Sequence, residues 1–272
     1  MGGVLFLPAQ VILTSMIDLK NVSKDFGRGK ILDGVSLRIE PKECVCILGP
    51  SDAGKSTLLK LLIGAETPTS GSVTIDGVDL KKIPRPALQL FRRKVGIIFQ
   101  DGKLLSNRTV VENIAFSMET NGASDSVIEK RVNELLRRMG LTHCKDSLPH
   151  QLSAGEQSRT AIARALAHVP LILIADEPLQ NLDADQAQNV MQLFRELHVA
   201  GMTMIVLTRD ASFADALRGR VLRLENGKIS TDGLSGRRVR HETIESPKEL
   251  VKTHIEAIEK RRKIRVTAIH SE

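Results

Sequence analysis

The residues with the clearest chemistry stand close together in the first quarter of the chain. Gly49-Pro50-Ser51-Asp52-Ala53-Gly54-Lys55-Ser56 spaces its glycines, lysine and serine as a phosphate-binding loop requires, and Thr57 follows it into a helix. In such a loop backbone N–H groups curl around phosphates at a helix N-terminus. Lys55 brings positive charge to the β- and γ-phosphates, and the Ser56 hydroxyl is a ligand for Mg²⁺. A second group lies further on, where the apolar run from Leu171 to Ala175 delivers two adjacent carboxylates, Asp176 and Glu177. Asp176 suits the Mg²⁺ shell. Glu177 is placed to orient or deprotonate an attacking water.

The elements needed to hold these groups can be read around them. Cys44 to Leu48 is a short apolar strand entering the phosphate loop, and Ser56 to Ile63 is a helical run stopped by Gly64. Ile17 to Val22 and Gly34 to Ile39 have the alternation of edge strands about the turn Gly27-Arg28-Gly29. Ser72 to Ile75 and Val95 to Phe99 read as further strands. Ile128, Val132, Leu135, Leu136 and Met139 mark a helix over Ser126 to Met139, closed by Gly140. After Gln151 come a helix carrying Ala161 to Ala167, the strand Leu171 to Ala175, a helix over Asp185 to Leu197 and a strand over Met202 to Leu207. This alternation predicts an α/β fold with a mostly parallel core sheet.

Leu152-Ser153-Ala154-Gly155-Glu156-Gln157, placed before the strand that carries Asp176, resembles the signature of ATP-binding-cassette (ABC) ATPases. Further positions agree in order. Phe26 fits the aromatic that stacks on adenine, although it could equally belong to the core. Gln100 fits the Q-loop, a contact for Mg²⁺ and water that couples to a membrane partner, and Asn181-Leu182-Asp183 fits the D-loop. The resemblance spans roughly Ile17 to Ile229. It implies a P-loop cassette with an antiparallel β edge subdomain and a helical subdomain over about 101–165, taking ATP and Mg²⁺. It also implies a homodimer in which Ser153, Gly155 and Glu156 of one subunit face ATP on the P-loop of the other. The segment Phe91 to Asp101, continuing through Leu104-Leu105, Arg108-Thr109-Val110 and Asn113, looks most like the FtsE cell-division ATPases, with the lipoprotein-release (LolD) and macrolide-export (MacB) ATPases as relatives. FtsE-type proteins work with a four-span membrane protein, FtsX, at the cytoplasmic face of the inner membrane.

Four departures from the family pattern cluster at the nucleotide. Arg209 stands at the switch-histidine position, and an arginine can donate to a γ-phosphate but cannot accept a hydrogen bond. Asp52 replaces a usual glycine. A carboxylate about 6 Å from a phosphate charge repels it by roughly 3 kcal/mol at an effective dielectric of 20, unless a cation such as Arg209 pairs with it. Ala154 replaces the first signature glycine, and Leu179-Gln180 replaces the usual Thr-Gly. Two outcomes follow: an ATPase slowed by Arg209, or a module that dimerises on ATP and hardly hydrolyses it.

Composition bounds the rest. A chain of 272 residues accommodates one cassette (16–232) with a flexible leader (1–15) and a C-terminal extension (233–272), not two cassettes. No coiled-coil insertion suggests a soluble repair or translation ABC protein. Absence of Trp and Tyr, with seven Phe, argues against a dedicated nucleic-acid binder. The apolar stretch Val4 to Leu13 is broken by Pro8 and Gln10, too short to span a bilayer, and lacks the preceding basic residues of a signal peptide. Cys44 and Cys46 alternate along a strand, as buried thiols do. Of the net charge of +7, the last forty residues hold ten Lys or Arg against six Asp or Glu. There Ser246-Pro247-Lys248-Glu249 caps a helix with Leu250, Val251, Ile255 and Ile258 on one face, followed by Lys260 to Lys263, a pattern suited either to plain solvation or to anionic lipid of the inner leaflet.

Overall fold

The computed structural model describes residues 17–27 and 29–231. The leader 1–15, the extension 233–272 with its amphipathic helix and basic run, and Arg28 of the first turn lie outside the described residues. Along the chain, β1 (Ile17–Asp25) and β2 (Lys30–Ile39) form a hairpin, and β3 (Cys44–Leu48) leads through the phosphate loop into α1 (Lys55–Leu62). Then come β4 (Ser70–Ile75), β5 (Val78–Asp79), α2 (Arg85–Arg92) and β6 (Val95–Ile98). The helices α3 (Val110–Glu119), α4 (Asp125–Arg138) and α5 (Ala154–Ala167) follow. The chain closes with β7 (Ile172–Asp176), α6 (Ala184–Val199), β8 (Thr203–Thr208), α7 (Ala211–Leu217), β9 (Arg220–Glu225) and β10 (Lys228–Thr231).

Two sheets result. One is antiparallel, in the order β2-β1-β4-β5, and the other runs β10-β9-β3-β8-β7-β6 with every pair from β9 to β6 parallel. The parallel strands β3, β7 and β8 are buried at every position, which is why they read as unbroken apolar runs instead of alternating ones. Their side chains still alternate in direction, and this divides the core in two. Cys44, Cys46 and Leu48 of β3, with Leu173, Ala175, Met204 and Val206, face a cluster built from α3 to α7. Val45 and Ile47, with Ile172, Ile174, Ile205 and Leu207, face α1 and the antiparallel sheet. The cysteines are accordingly free and buried.

The parallel register brings the carboxyl ends of the central strands to one edge. Leu48 pairs with Thr208, Asp176 with Leu207, and Ile98 with Ala175. In an open α/β sheet that edge is where ligands bind. Elements not anticipated from the sequence include parts of this core: β9 pairs in parallel with β3, and α3 and α7 contribute Ile114, Met118, Phe213 and Leu217 to the helical cluster. The helix α2 is only about two turns long, its apolar face limited to Phe91, which is buried, and Leu88, which packs beside the same cluster, and β10 closes the sheet edge by pairing antiparallel with β9. The helix α3 did carry a legible start: Thr109 accepts from the Glu112 N–H while the Glu112 carboxylate accepts from the Thr109 N–H.

Candidate active site

The phosphate loop is held by what lies beneath it. At Gly49 a side chain would bring a Cβ within 2.5 Å of the Leu224 carbonyl oxygen on β9, so only glycine lets the loop leave β3 this close to its neighbour. Pro50, Ser51 and Asp52 are exposed and Ala53 is buried. The Gly54 backbone lies against Ile31 and Leu32 of β2, which ties the antiparallel sheet to the loop. Asp52 adopts φ 64, in the left-handed region where glycine is at no disadvantage and aspartate is tolerated better than most residues. The usual glycine at this position thus has a conformational reason, and Asp52 adds strain as well as charge.

Below the loop the charged side chains form one connected set. Lys55 is 7% exposed and its ammonium donates to the carbonyls of Gly49 (2.7 Å) and Pro50 (2.9 Å), while lying 3.3 Å from Glu177 Oε1. Ser56 Oγ donates to Asp176 Oδ2 at 2.6 Å, and Thr57 follows in the first turn of α1. Asp176 is 3% exposed and its other oxygen, Oδ1, is buried with no hydrogen-bond partner. Burial pushes the Asp176 carboxyl above the usual carboxylate range, against the opposing effect of the Ser56 hydrogen bond. A serine hydroxyl and a buried carboxylate with an unsatisfied oxygen are hard donors, the kind of set that fits Mg²⁺.

Glu177 is fixed from three sides. Its backbone takes φ 48 and its N–H donates to Leu207 O at 2.8 Å. A non-glycine residue in the left-handed region carries strain that the surrounding contacts must hold. Glu177 Oε2 accepts from Thr208 Oγ1 and from the Arg209 N–H, each at 3.2 Å, and Oε1 lies 3.3 Å from both Lys55 Nζ and Arg209 Nε. Arg209 also donates to Ser51 Oγ at 3.3 Å. No cation neutralises Asp52 among the described residues: the Arg209 guanidinium goes instead to Glu177, a largely desolvated carboxylate that attracts it more than a solvated one. Thr208 is a positioning residue that the sequence reading missed. The sole signal for it is its place at the end of β8 beside Arg209.

Gln100 is exposed, two residues beyond the end of β6 on the same sheet edge. The segment after it is pinned by α5, where Arg164 donates to the carbonyls of Gly102 and Lys103, both at 2.7 Å. Phe26 is 49% exposed at the end of β1, so it is not a core residue, and Lys24 Nζ sits 4.6 Å from its ring centroid.

The remaining predicted residues form a separate place. Ser153 is the N-cap of α5: its Oγ accepts from the Glu156 N–H at 3.3 Å and donates to Glu156 Oε2 at 2.7 Å, and its N–H donates to the same oxygen at 2.8 Å. These bonds, with His143 Nε2 at 2.8 Å from Oε1, hold the Glu156 carboxyl down at about 2. Ser153 and Ala154 are exposed. Gly155 faces the start of α6, where a side chain would stand 2.8 Å from Gln186 Oε1. Asn181 has φ 68, and Asp183 caps α6 by accepting from the Gln186 N–H at 2.8 Å.

A strand, phosphate loop and helix, followed by a carboxylate pair and a capped signature helix on one parallel sheet, define a P-loop nucleotide-binding cassette. Residues 32–180 match the family model described as ABC transporter. The chain belongs to the ABC transporter family, as an ATP-binding subunit. It is 42% identical over 223 residues to the "Cell division ATP-binding protein FtsE" of Streptococcus pneumoniae serotype 2, covering 82% of this chain and 97% of that protein. The Bacillus subtilis protein of the same name is 42% identical over 222 residues, covering 81% and 97%. Among solved structures, the dimeric ATP-binding cassette MJ0796, in a post-hydrolysis state bound to ADP and Pi, superposes with a TM-score of 0.72 at 34% identity, covering 79% of this chain and 98% of that one.

Proposed function

We propose that this chain binds MgATP between two copies of itself and hydrolyses it slowly to work a membrane partner in cell division, as its FtsE-type relatives are named for. The observation that carries this reading is the split arrangement of the site: Lys55, Ser56, Asp176, Glu177 and Arg209 converge on one sheet edge, while Ser153 stands exposed at another helix end with only Glu156 as its partner. Gly49 to Thr57 cradle the phosphates, Ser56, Asp176 and Gln100 hold Mg²⁺, and Phe26 stacks on adenine. Bound Mg²⁺ supplies charge neutralisation at the phosphates. Glu177 takes the proton of the attacking water, and Ser153, Gly155 and Glu156 of the second copy close the site.

Lys55 and Arg209 both hold Glu177. Phosphates compete with Glu177 for Lys55, while Arg209 Nε occupies the same carboxylate oxygen, Oε1, that an attacking water would need. Arg209 is the reason for expecting slow turnover; the second reading, a dimerisation module that hardly hydrolyses ATP, rests on the same contact being strong enough to keep water off Glu177 altogether. Among the described residues no helix is long and apolar enough to cross a membrane, so the partner supplies the membrane span. A groove of about 470 Å³ beside the segment after Gln100, lined by Arg92, Arg93, Phe99, Lys103, Phe116 and Arg164, suits a helix of an FtsX-like protein at the cytoplasmic face. The basic extension 233–272 adds attraction to anionic lipid.

The test is Glu177→Gln, which keeps the shape and removes the base. With MgATP the variant is expected to elute as a stable dimer without turnover, while the parent chain turns over slowly when its membrane partner is present. A variant that stays monomeric with MgATP overturns the shared site.

A further inference from the structure

The loop that precedes the signature places three side chains of different chemistry around one point. His143 and Cys144 lie on a short 3₁₀ turn (Thr142–Cys144), and Glu156 reaches toward them from the first turn of α5. One ligand atom from each, the His143 ring nitrogen, the Cys144 sulfur and a Glu156 oxygen, lies within 4.8 Å of the others. We propose that His143, Cys144 and Glu156 form a binding site for a thiophilic divalent cation of the Zn²⁺ type, seated on the signature helix.

The donor set decides the class of ion. Nitrogen, sulfur and carboxylate oxygen together suit Zn²⁺, with water in the fourth tetrahedral position, and do not suit Mg²⁺ or Ca²⁺, which take oxygen. The geometry is one step from closed. Donors around a tetrahedral Zn²⁺ stand roughly 3.3–3.8 Å apart, given metal–ligand lengths of about 2.0–2.3 Å. His143 and Glu156 already approach to 2.8 Å, and His143 is 65% exposed, so its ring can swing aside to admit an ion. Glu156 has a free hand for this role. Its Oε2 caps Ser153 while its Oε1 faces His143, so the ion takes the oxygen that capping does not use.

Protonation sets how tightly the ion is held. The Glu156 carboxyl is already ionised, held at about 2 by Ser153 and His143. The Cys144 thiol is raised by burial and by the nearby Glu156 charge. Binding therefore forms a metal–sulfur bond and breaks the S–H bond, releasing one proton to solvent, and a dication beside Glu156 reverses the electrostatic reason for the raised thiol. A bound ion links the segment before the signature directly to the capping glutamate.

The probe is Co²⁺ alone added to the full chain, with Zn²⁺ as competitor. The expected result is a thiolate-to-cobalt absorption at one equivalent, displaced by Zn²⁺ and lost in both Cys144→Ser and His143→Ala. Cys44 and Cys46 are buried in the sheet and cannot contribute it. His143→Ala removes an exposed ring and should leave the fold intact, while weakening Zn²⁺ by tenfold or more. Zn²⁺ should raise the melting temperature of the parent chain by more than that of either variant at the same concentration. An absent thiolate band in the folded chain, or one that survives both substitutions, overturns the site, as does equal Zn²⁺ stabilisation of parent and variants. These readouts need no ATP, so they fail or succeed separately from the dimer reading.

Discussion

The phosphate loop and the signature sit on one chain but are finished to different degrees. At the loop, Lys55 and Asp176 are buried, Lys55 lies against Glu177 and Asp176 against Ser56, the strained Glu177 backbone is tied to β8 through Leu207, and Gly49 and Gly54 press on β9 and β2. At the signature, Ser153 and Ala154 are exposed and the hydrogen bonds are local, closed between Ser153, Glu156 and His143. The first place is expensive to build and depends on the whole sheet. The second is a capped helix end of the kind worth about 1 kcal/mol and needs little beyond its own four residues. The two places thus differ in how much of the fold each draws on: the loop depends on contacts from three strands, the signature on a local cap.

Several changes break or sharpen that contrast. The largest effect is expected at Lys55. Lys55→Ala removes the buried cation that faces the phosphates and also leaves Glu177 with one partner fewer, so MgATP affinity should fall by at least roughly a hundredfold in equilibrium binding. Unchanged affinity would remove the loop from the nucleotide site altogether. Arg209→His should come next, raising turnover roughly two- to tenfold in the presence of the membrane partner, because it withdraws a permanent cation from Glu177 and restores a group that can accept a hydrogen bond. Equal or lower turnover would mean that the Arg209 contact with Ser51 carries a positive role.

Asp52→Gly should tighten MgATP by roughly three- to tenfold, since it removes the repulsion of an exposed, solvent-screened carboxylate, while glycine keeps the left-handed backbone without strain. A further effect concerns stability alone, away from the nucleotide. His168 at the end of α5 has both ring nitrogens buried without partners, and burial, with a smaller contribution from Lys94, pulls its pKa from 6.5 down to about 4. The unfolded chain then binds the extra proton between those values. Stability is fully present above pH 6.5 and is lost as pH falls toward 4, by an amount on the order of 2–3 kcal/mol. His168→Gln should flatten that part of the pH dependence in thermal melts without changing ATP affinity at pH 7.5.

Much of the catalytic edge was legible because a few residues dictate it. Lys55, Ser56, Asp176 and Glu177 are fixed by residue type and by the apolar strands that precede them, and burial of β3, β7 and β8 on both faces makes those strands easy to read. Partners chosen in three dimensions were not legible. Nothing in the order of residues says that Arg209 turns to Glu177 and Ser51 instead of Asp52, or that Thr208 braces the same carboxylate, since each depends on the register between β8 and β7. Phe26 illustrates the same limit: an aromatic among seven reads equally as core or as an exposed platform until its burial is known.

The two carbonyls gripped by Arg164 give α5 a mechanical character. A helix of 14 residues is a stiff rod of about 21 Å, and Ser153 and Arg164 lie about 16 Å apart along it. Swinging the rod by about 5° about its Arg164 end carries Ser153 through about 1.4 Å, roughly half the length of a hydrogen bond. The reverse holds as well, so a push of that size at Ser153 reaches the backbone just after Gln100 as a turn of the guanidinium that holds it. A tilt too small to break the cap at the Ser153 end would therefore be felt as a change of angle at the strand edge where Gln100 stands, and Arg164→Ala should uncouple the two in hydrogen exchange of Gly102 and Lys103.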